Sequence, residues 1–302
     1  MPCRVLIAAD VEPALVDLLQ KDSRFVVEYR PMRDLQSLSS DCEVLITRTF
    51  NKVTPAVLER TPKLRILAQG TSGTDNIDLG AAEKRGVRVI SLPGINANAV
   101  AELVIGHMIA LTRTVPAYSR QVANGTWLRE DCTTRHELRH YRLGIVGLGQ
   151  VGRRVARLAA AFGMRPMAID PYISDADFAE RGATRVHSLD EIVAKSDILT
   201  MHVPLTPETN KMIDARRLTQ LPRGAILINA SRGEVTDQPA VLAALASNHL
   251  GGVALDVFDP EPPHGIFPDD PRLIVTPHIA GCSYECKNEA AAALYRAICA
   301  AV

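Results

Sequence analysis

Leu143-Gly-Ile-Val146-Gly147-Leu148-Gly149-Gln150-Val151-Gly152 is the stretch on which the reading turns. Leu143–Val146 reads as a buried strand and Val151–Phe162 as a helix, with a glycine-rich turn between them. Gly147 permits the tight turn, Gly149 lets backbone approach a pyrophosphate, and Gly152 lets helix and strand pack closely. The helix N-terminus adds N–H groups and a partial positive charge suited to phosphates. The next strand, Arg165–Ile169, ends in Asp170, 18 residues beyond Gly152. An acid there would hydrogen-bond an adenosine ribose and repel a 2′-phosphate, so the pattern predicts NAD rather than NADP.

The same alternation extends in both directions. Downstream, helix-like Leu189–Lys195, Ala215–Gln220 and Gln238–Ser247 are interleaved with strand-like Asp197–His202, Ala225–Asn229, Gly252–Val257 and Leu273–Thr276. Upstream, Val5–Ala8, Phe25–Val27, Val44–Thr47, Leu64–Leu67 and Val87–Ile90 read as strands. Pro13–Gln20, Pro55–Arg60 and Leu79–Arg85 read as helices. Continuous apolar strands separated by helices imply parallel sheets covered on both faces. The expected fold class is therefore α/β, with two doubly wound parallel-sheet units. A long apolar helix over Asn98–Arg120 divides them, and the polar run Arg129–Tyr141 reads as a surface loop.

Composition narrows the partners. In 302 residues, 34 basic side chains balance 34 acidic ones, which argues against nucleic acid; 47% hydrophobic residues argue against disorder. The apolar run Ala99–Leu111 contains Glu102 and His107 and is too short to span a bilayer. Cys3, Cys42, Cys132, Cys282, Cys286 and Cys299 form no CxxC pair and are expected to be reduced thiols in a cytoplasmic protein. His278, Cys282 and Cys286 are spaced by four, but with no fourth ligand no metal is expected.

Three further segments follow strands: Asn229-Ala-Ser-Arg232-Gly-Glu, Ala254-Leu-Asp256-Val-Phe-Asp-Pro-Glu261-Pro-Pro, and Thr276-Pro-His278-Ile-Ala-Gly281. Open α/β sheets bind ligands at the carboxyl ends of their strands, so Arg232, Glu261 and His278 are candidates for one converging site. Singly, each has a plain structural reading as a surface ion-pair partner, a solvated loop acid or a cap.

With these segments, Gly70-Thr-Ser-Gly73-Thr-Asp-Asn-Ile-Asp78, Asn96-Ala-Asn-Ala-Val-Ala-Glu102 and His202-Val-Pro-Leu-Thr-Pro-Glu-Thr209, the chain resembles the D-isomer-specific 2-hydroxyacid dehydrogenase family nearly end to end. The resemblance implies that Arg232 binds a substrate carboxylate and that His278 is the acid–base group. It implies that Glu261 orients the imidazole and raises its pKa, and that Ser72 and Gly73 grip the carboxylate through backbone N–H groups. NAD would be held by Gly147, Gly149, Gln150, Val151, Gly152, Asp170, Val203, Pro204, Thr209, Ala230, Ser231, Asp256 and Gly281, with Asp256 on the nicotinamide amide. The family places a Rossmann-type cofactor domain, here 98–280, within a flavodoxin-like substrate domain, here 1–97 plus 281–302. It places the ligands between the two, and a homodimer interface on the helix near 98–120. Trp127 is expected to pack at a domain or subunit boundary.

For the substrate, Ile46-Thr-Arg48-Thr-Phe-Asn-Lys-Val-Thr54 is similar to a segment of phosphoglycerate dehydrogenases that carries a phosphate-facing arginine, and Trp127-Leu-Arg129 to a second basic contact. Gln69 departs from that pattern, since some members carry a third arginine there. The chain length implies a short form without a regulatory domain. Hydroxypyruvate or glyoxylate reduction and erythronate-4-phosphate oxidation are the alternatives. Formate and phosphite dehydrogenases are weaker ones. An NAD-sensing corepressor is the reading from a different class, and such relatives carry long tails.

Overall fold

The computed structural model describes residues 2–302 except 33, 128, 130–135 and 266, and of residue 36 the backbone alone. Cys132 and most of the first half of the expected 129–141 loop lie outside the described residues. The chain divides into two compact units, Met1–Asn96 with Cys282–Val302, and Ala97–Gly281.

The first unit opens with β1 (Cys3–Ile7), α1 (Pro13–Lys21), β2 (Phe25–Tyr29), β3 (Val44–Thr47), α2 (Pro55–Arg60), β4 (Ile66–Gln69), α3 (Leu79–Lys84) and β5 (Arg88–Ile90). Its sheet runs β2-β1-β3-β4-β5, all parallel. Because side chains alternate along a strand, the apolar runs feed two cores. Val5, Ile7, Val44, Ile46, Ile66 and Ala68 pack with Leu15 and Leu19 of α1 on one face. Leu6, Leu45 and Leu67 pack with Val57 and Leu58 of α2 on the other. Proline in the first turn of α1 and of α2 costs no helical hydrogen bond there.

The second unit contains α4 (Ala97–Thr112), α5 (Val115–Ala123), β6 (Leu143–Val146), α6 (Gly152–Ala161), β7 (Met167–Ile169), α7 (Asp175–Glu180), β8 (Thr184–Arg185) and α8 (Leu189–Lys195). These are followed by β9 (Ile198–Met201), α9 (Ala215–Gln220), β10 (Ala225–Asn229), α10 (Gln238–Ala246), β11 (Leu250–Leu255) and β12 (Leu273–Val275). The sheet is parallel throughout, in the order β12-β11-β10-β9-β6-β7-β8. Ile145, Ile198 and Ile228 face α4 and α6, while Leu199, Leu227 and Val253 face α8, α9 and α10. The last element, α11 (Tyr284–Cys299), returns to the first unit, where Ala291, Leu294 and Ile298 join the α1 core.

Three details correct the sequence reading. The expected single helix over 98–120 is two, α4 and α5, bent by 63°. Thr114 takes a left-handed φ of 55° and Pro116 starts the second helix, where it cannot donate back to the first. α7 and β8 were not anticipated; a capping box between Ser174 and Asp177 starts the six-residue α7, and β8 has only two residues. Cys282 precedes Ser283, the N-cap of α11, so it shares no helical face with Cys286. Among the described residues no cluster of His, Cys, Asp or Glu could hold a metal ion, and no single helix is long and apolar enough to cross a membrane.

Behind the loop that carries Ser72 and Gly73 lies a buried amide network. Gln69, at the end of β4, is fully buried. Its Nε2 donates to the Gly73 carbonyl (2.5 Å) and to Thr71 Oγ1 (2.9 Å), and its Oε1 accepts from Asn76 Nδ2 at 3.0 Å. Asn76 Nδ2 also reaches the carbonyls of Arg48 (3.1 Å) and Asn51 (2.7 Å). The 70–76 loop and the Arg48 loop are thereby tied to each other. Gln69→Leu should lower unfolding free energy by about 1–3 kcal/mol for each partner left buried without a bond. Urea denaturation measures it, and an unchanged midpoint would contradict the network.

Candidate active site

In the second unit the chain order reverses between β6 and β9, and the glycine turn lies at the carboxyl end of β6. Gly147 turns with φ 88°, and a Cβ there would meet the His202 carbonyl oxygen at 2.5 Å. A Cβ at Gly152 would stand 2.1 Å from the Gly147 carbonyl oxygen, so the helix and the turn close on each other. Over Gly149 nothing lies within 4 Å, the open backbone that a pyrophosphate needs. Arg153 and Arg154 sit in the first turn of α6, where the helix dipole disfavours cations. Gln150 Oε1 holds both, at 2.5 and 3.1 Å, and a bound anion would compensate them further.

Asp170 follows β7. Its Oδ2 accepts the Leu148 N–H at 2.9 Å and its Oδ1 the Tyr172 N–H at 3.0 Å, so the acid braces the turn from the strand end. Val203 packs beside Gly147. Thr209 Oγ1 donates to the Pro204 carbonyl at 2.7 Å and accepts the Thr206 N–H at 2.8 Å, which fixes the 204–209 turn. The open turn, the helix end and the strand-end acid fit an NAD molecule.

The triad is assembled at the ends of β10, β11 and β12. Asn229 closes β10 fully buried. Its Oδ1 accepts from Ser231 N (3.1 Å) and Ser231 Oγ (2.9 Å), and its Nδ2 donates to the Arg232 carbonyl at 2.8 Å. That local turn spans Ala230 and Ser231 and sets the backbone of Arg232. Gly233 then lets this loop touch the Glu261 loop: a Cβ there would fall 2.1 Å from the Phe258 carbonyl. Arg232 Nη1 donates to the Ser231 carbonyl at 2.7 Å.

His278 adopts a left-handed φ of 54°, a conformation that costs about 1–3 kcal/mol outside glycine. Asp256, after β11, holds it there. The Asp256 carboxylate is 1% exposed and accepts from Thr276 Oγ1 (2.6 Å), Ile279 N (2.9 Å) and Ala280 N (2.8 Å). The His278 N–H also donates to the Asp256 carbonyl at 2.8 Å. The nicotinamide role that the resemblance implies for Asp256 therefore stands beside a structural one: its oxygens already hold the loop that ends at Gly281.

Glu261 Oε2 lies 2.8 Å from His278 Nδ1, and Glu261 Oε1 accepts the Phe258 N–H at 3.0 Å. The hydrogen bond that His278 donates to Glu261 raises the His278 pKa against the opposing effect of burial; the charges of Glu261 and Asp256 add to the rise and Arg232 opposes it. Burial works to raise the Glu261 carboxyl, but the His278 hydrogen bond and charge, with Arg232, bring it below its ordinary value. His202, by contrast, is pushed down by burial; its Nε2 lies 3.1 Å from Thr200 Oγ1, a packing role at a strand end.

The substrate candidates are distributed over both units. In the first, Ser72 Oγ donates to Asn96 Oδ1 at 2.9 Å and accepts the Gly94 N–H at 3.1 Å, which shapes the loop before Gly73. Arg48 Nη2 is 2.7 Å from Glu12 Oε1. In the second, Arg129 is exposed, and Trp127 is 75% exposed rather than packed in the single chain. Sequence reasoning assigned no role to Asn229 or Glu12, and marked Gln69 only as standing where some family members carry an arginine. Asn229 left a trace, an Asn two residues before a Ser, the pattern of an Asx turn.

Residues 105–280 match the family model described as D-isomer specific 2-hydroxyacid dehydrogenase, NAD binding domain. D-3-phosphoglycerate dehydrogenase of Rattus norvegicus is 35% identical over 288 residues, covering 94% of this chain and 54% of that protein. The Mycobacterium bovis protein of the same name is 35% identical over 294 residues, covering 95% and 54%. The chain thus spans about half the length of these curated relatives. A D-lactate dehydrogenase from Aquifex aeolicus, solved with NAD and lactic acid, superposes with TM-score 0.86 at 26% identity, covering 98% of this chain and 94% of that one. A glyoxylate reductase from Paecilomyes thermophila gives 0.89 at 26% identity, covering 99% and 95%. Together with the glycine turn and the Arg232, Glu261 and His278 loops, these matches establish that the chain belongs to the D-isomer specific 2-hydroxyacid dehydrogenase family.

Proposed function

We propose that the chain interconverts a D-2-hydroxy acid and its 2-oxo acid with NAD, and that the acid is phosphorylated, of the 3-phosphoglycerate type. The His278–Glu261 hydrogen bond of 2.8 Å, under the influence of Arg232, carries the reading. NAD, when bound, accepts or supplies the hydride at C2 of the acid. Arg232 binds the carboxylate and polarises the 2-oxo group through charge-assisted hydrogen bonds. His278 takes the hydroxyl proton during oxidation and returns it during reduction, through Nε2, because Nδ1 is committed to Glu261. Glu261 stabilises the charged imidazole without donating the proton itself. Ser72 and Gly73 contribute backbone N–H groups to the carboxylate.

The phosphate assignment draws support from the names of the curated relatives and from the hydrogen bond that ties the Arg48 loop to the Ser72–Gly73 loop. Reduction of unphosphorylated hydroxypyruvate or glyoxylate is the second reading, favoured by the carboxylate of Glu12 on Arg48. We further propose a homodimer through the segment near 98–120, in which α5 buries none of its residues in the single chain and leaves Val115 and Val122 exposed, with Trp127 exposed just beyond it. The buried free thiols of Cys3, Cys42 and Cys286 suit the reducing cytoplasm.

NADH oxidation with 3-phosphohydroxypyruvate, hydroxypyruvate, glyoxylate and 2-oxo-3-hydroxy-4-phosphobutanoate tests the assignment. Turnover should be greatest with the first and should fall by on the order of 10²–10⁴-fold in His278→Ala. No turnover of any of the four, with NADH still bound, would favour a binding module instead.

The pH dependence carries a sign. Reduction needs protonated His278, so kcat/KM for the 2-oxo acid should be full at low pH and decline as pH rises through a pKa displaced upward from the ordinary histidine value. Glu261→Gln removes the main raising influence and leaves burial and Arg232 opposed only by the smaller effect of Asp256, so the declining limb should move to the acid side. A limb that stays in place would contradict the role given to Glu261.

A further inference from the structure

The first unit has its own reversal of strand order. The chain steps from β1 outward to β2 and then returns to β3 on the other side of β1. Open α/β sheets bind ligands outside the carboxyl ends of the strands at such a point. Three charged residues stand there: Asp10 and Glu12, in the connection after β1, and Arg48, directly after β3. Asp10 Oδ1 accepts from the Tyr29 hydroxyl at 3.2 Å, which leaves Glu12 as the acid on Arg48. Glu12 occupies the N-cap position of α1, yet its side chain makes no capping bond. It reaches Arg48 instead, Oε1 to Nη2 at 2.7 Å, with the two side chains 16% and 29% exposed. The pair is shielded enough to count, unlike a solvated surface pair.

We propose that Glu12 is a specificity-determining residue, setting how strongly the enzyme prefers a phosphorylated acid over one ending in a neutral group. The proposal rests on the reading that Arg48 faces the far end of the acid. A guanidinium with five N–H donors can serve a carboxylate and a second acceptor together. The carboxylate cancels much of the field that would attract a phosphate dianion and repels the dianion itself. A terminal hydroxyl meets no such repulsion and still finds a donor. Glu12 therefore moderates selection for phosphate by opposition rather than by contact, a form of discrimination that needs a repulsive element. Asn51 Oδ1, which accepts the Arg48 N–H at 3.0 Å, holds the backbone while the side chain is shared.

The test compares kcat/KM for 3-phosphohydroxypyruvate with that for hydroxypyruvate in wild type, Glu12→Gln, Glu12→Ala, Arg48→Ala and the double variant Glu12→Gln/Arg48→Ala. Either Glu12 variant should raise the phosphorylated-to-unphosphorylated ratio by on the order of tenfold, as expected for one partly screened charge, and chiefly through KM. Arg48→Ala should lower the ratio, and Glu12→Gln should change nothing in that background. A ratio that responds to Arg48→Ala but not to the Glu12 variants overturns the role of Glu12 and leaves Arg48 as phosphate contact. A ratio that ignores Arg48→Ala overturns both.

Discussion

The geometry of the His278 loop depends on one buried carboxylate. Asp256 spends its oxygens on Thr276, Ile279 and Ala280 and so holds His278 in a left-handed turn that is uncommon outside glycine. Such strain persists only where the surroundings over-determine it. Here three charge-assisted bonds do so, and they aim the imidazole at Glu261. Lose the turn and the 2.8 Å pairing between His278 and Glu261 has nothing to fix it.

The two units solve the same problem with different residues. Each is a parallel sheet whose order reverses once, and each places its charged or open groups at the carboxyl end of the strands at that reversal. In the second unit the reversal carries a glycine turn with open space above Gly149. In the first it carries an ion pair, Glu12 with Arg48. Backbone stripped of side chains suits a cofactor held by its phosphates.

Much of this could be read in the chain itself. Strands such as Val44–Thr47 and Ala225–Asn229 are continuous apolar runs bounded by polar residues, and both have the expected bounds. The glycine turn follows β6 as its spacing suggested, and Arg232, Glu261 and His278 follow β10, β11 and β12, with Glu261 and His278 hydrogen-bonded. What escaped was tertiary. The kink at Thr114 lies inside a run of apolar character, where hydropathy does not register a change of φ. The two-residue β8 gains its identity only from pairing with β7. Gln69 and Asn76 look like ordinary polar residues until the fold brings them under one loop, and Glu12 meets Arg48 only because β1 and β3 are neighbours.

The central claim is that Glu261 raises the His278 pKa above its ordinary value. Titration of the His278 ring by nitrogen-15 NMR in the intact protein measures this without reference to any substrate. The account predicts a midpoint clearly above 6.5. A midpoint at or below 6.5 would contradict it.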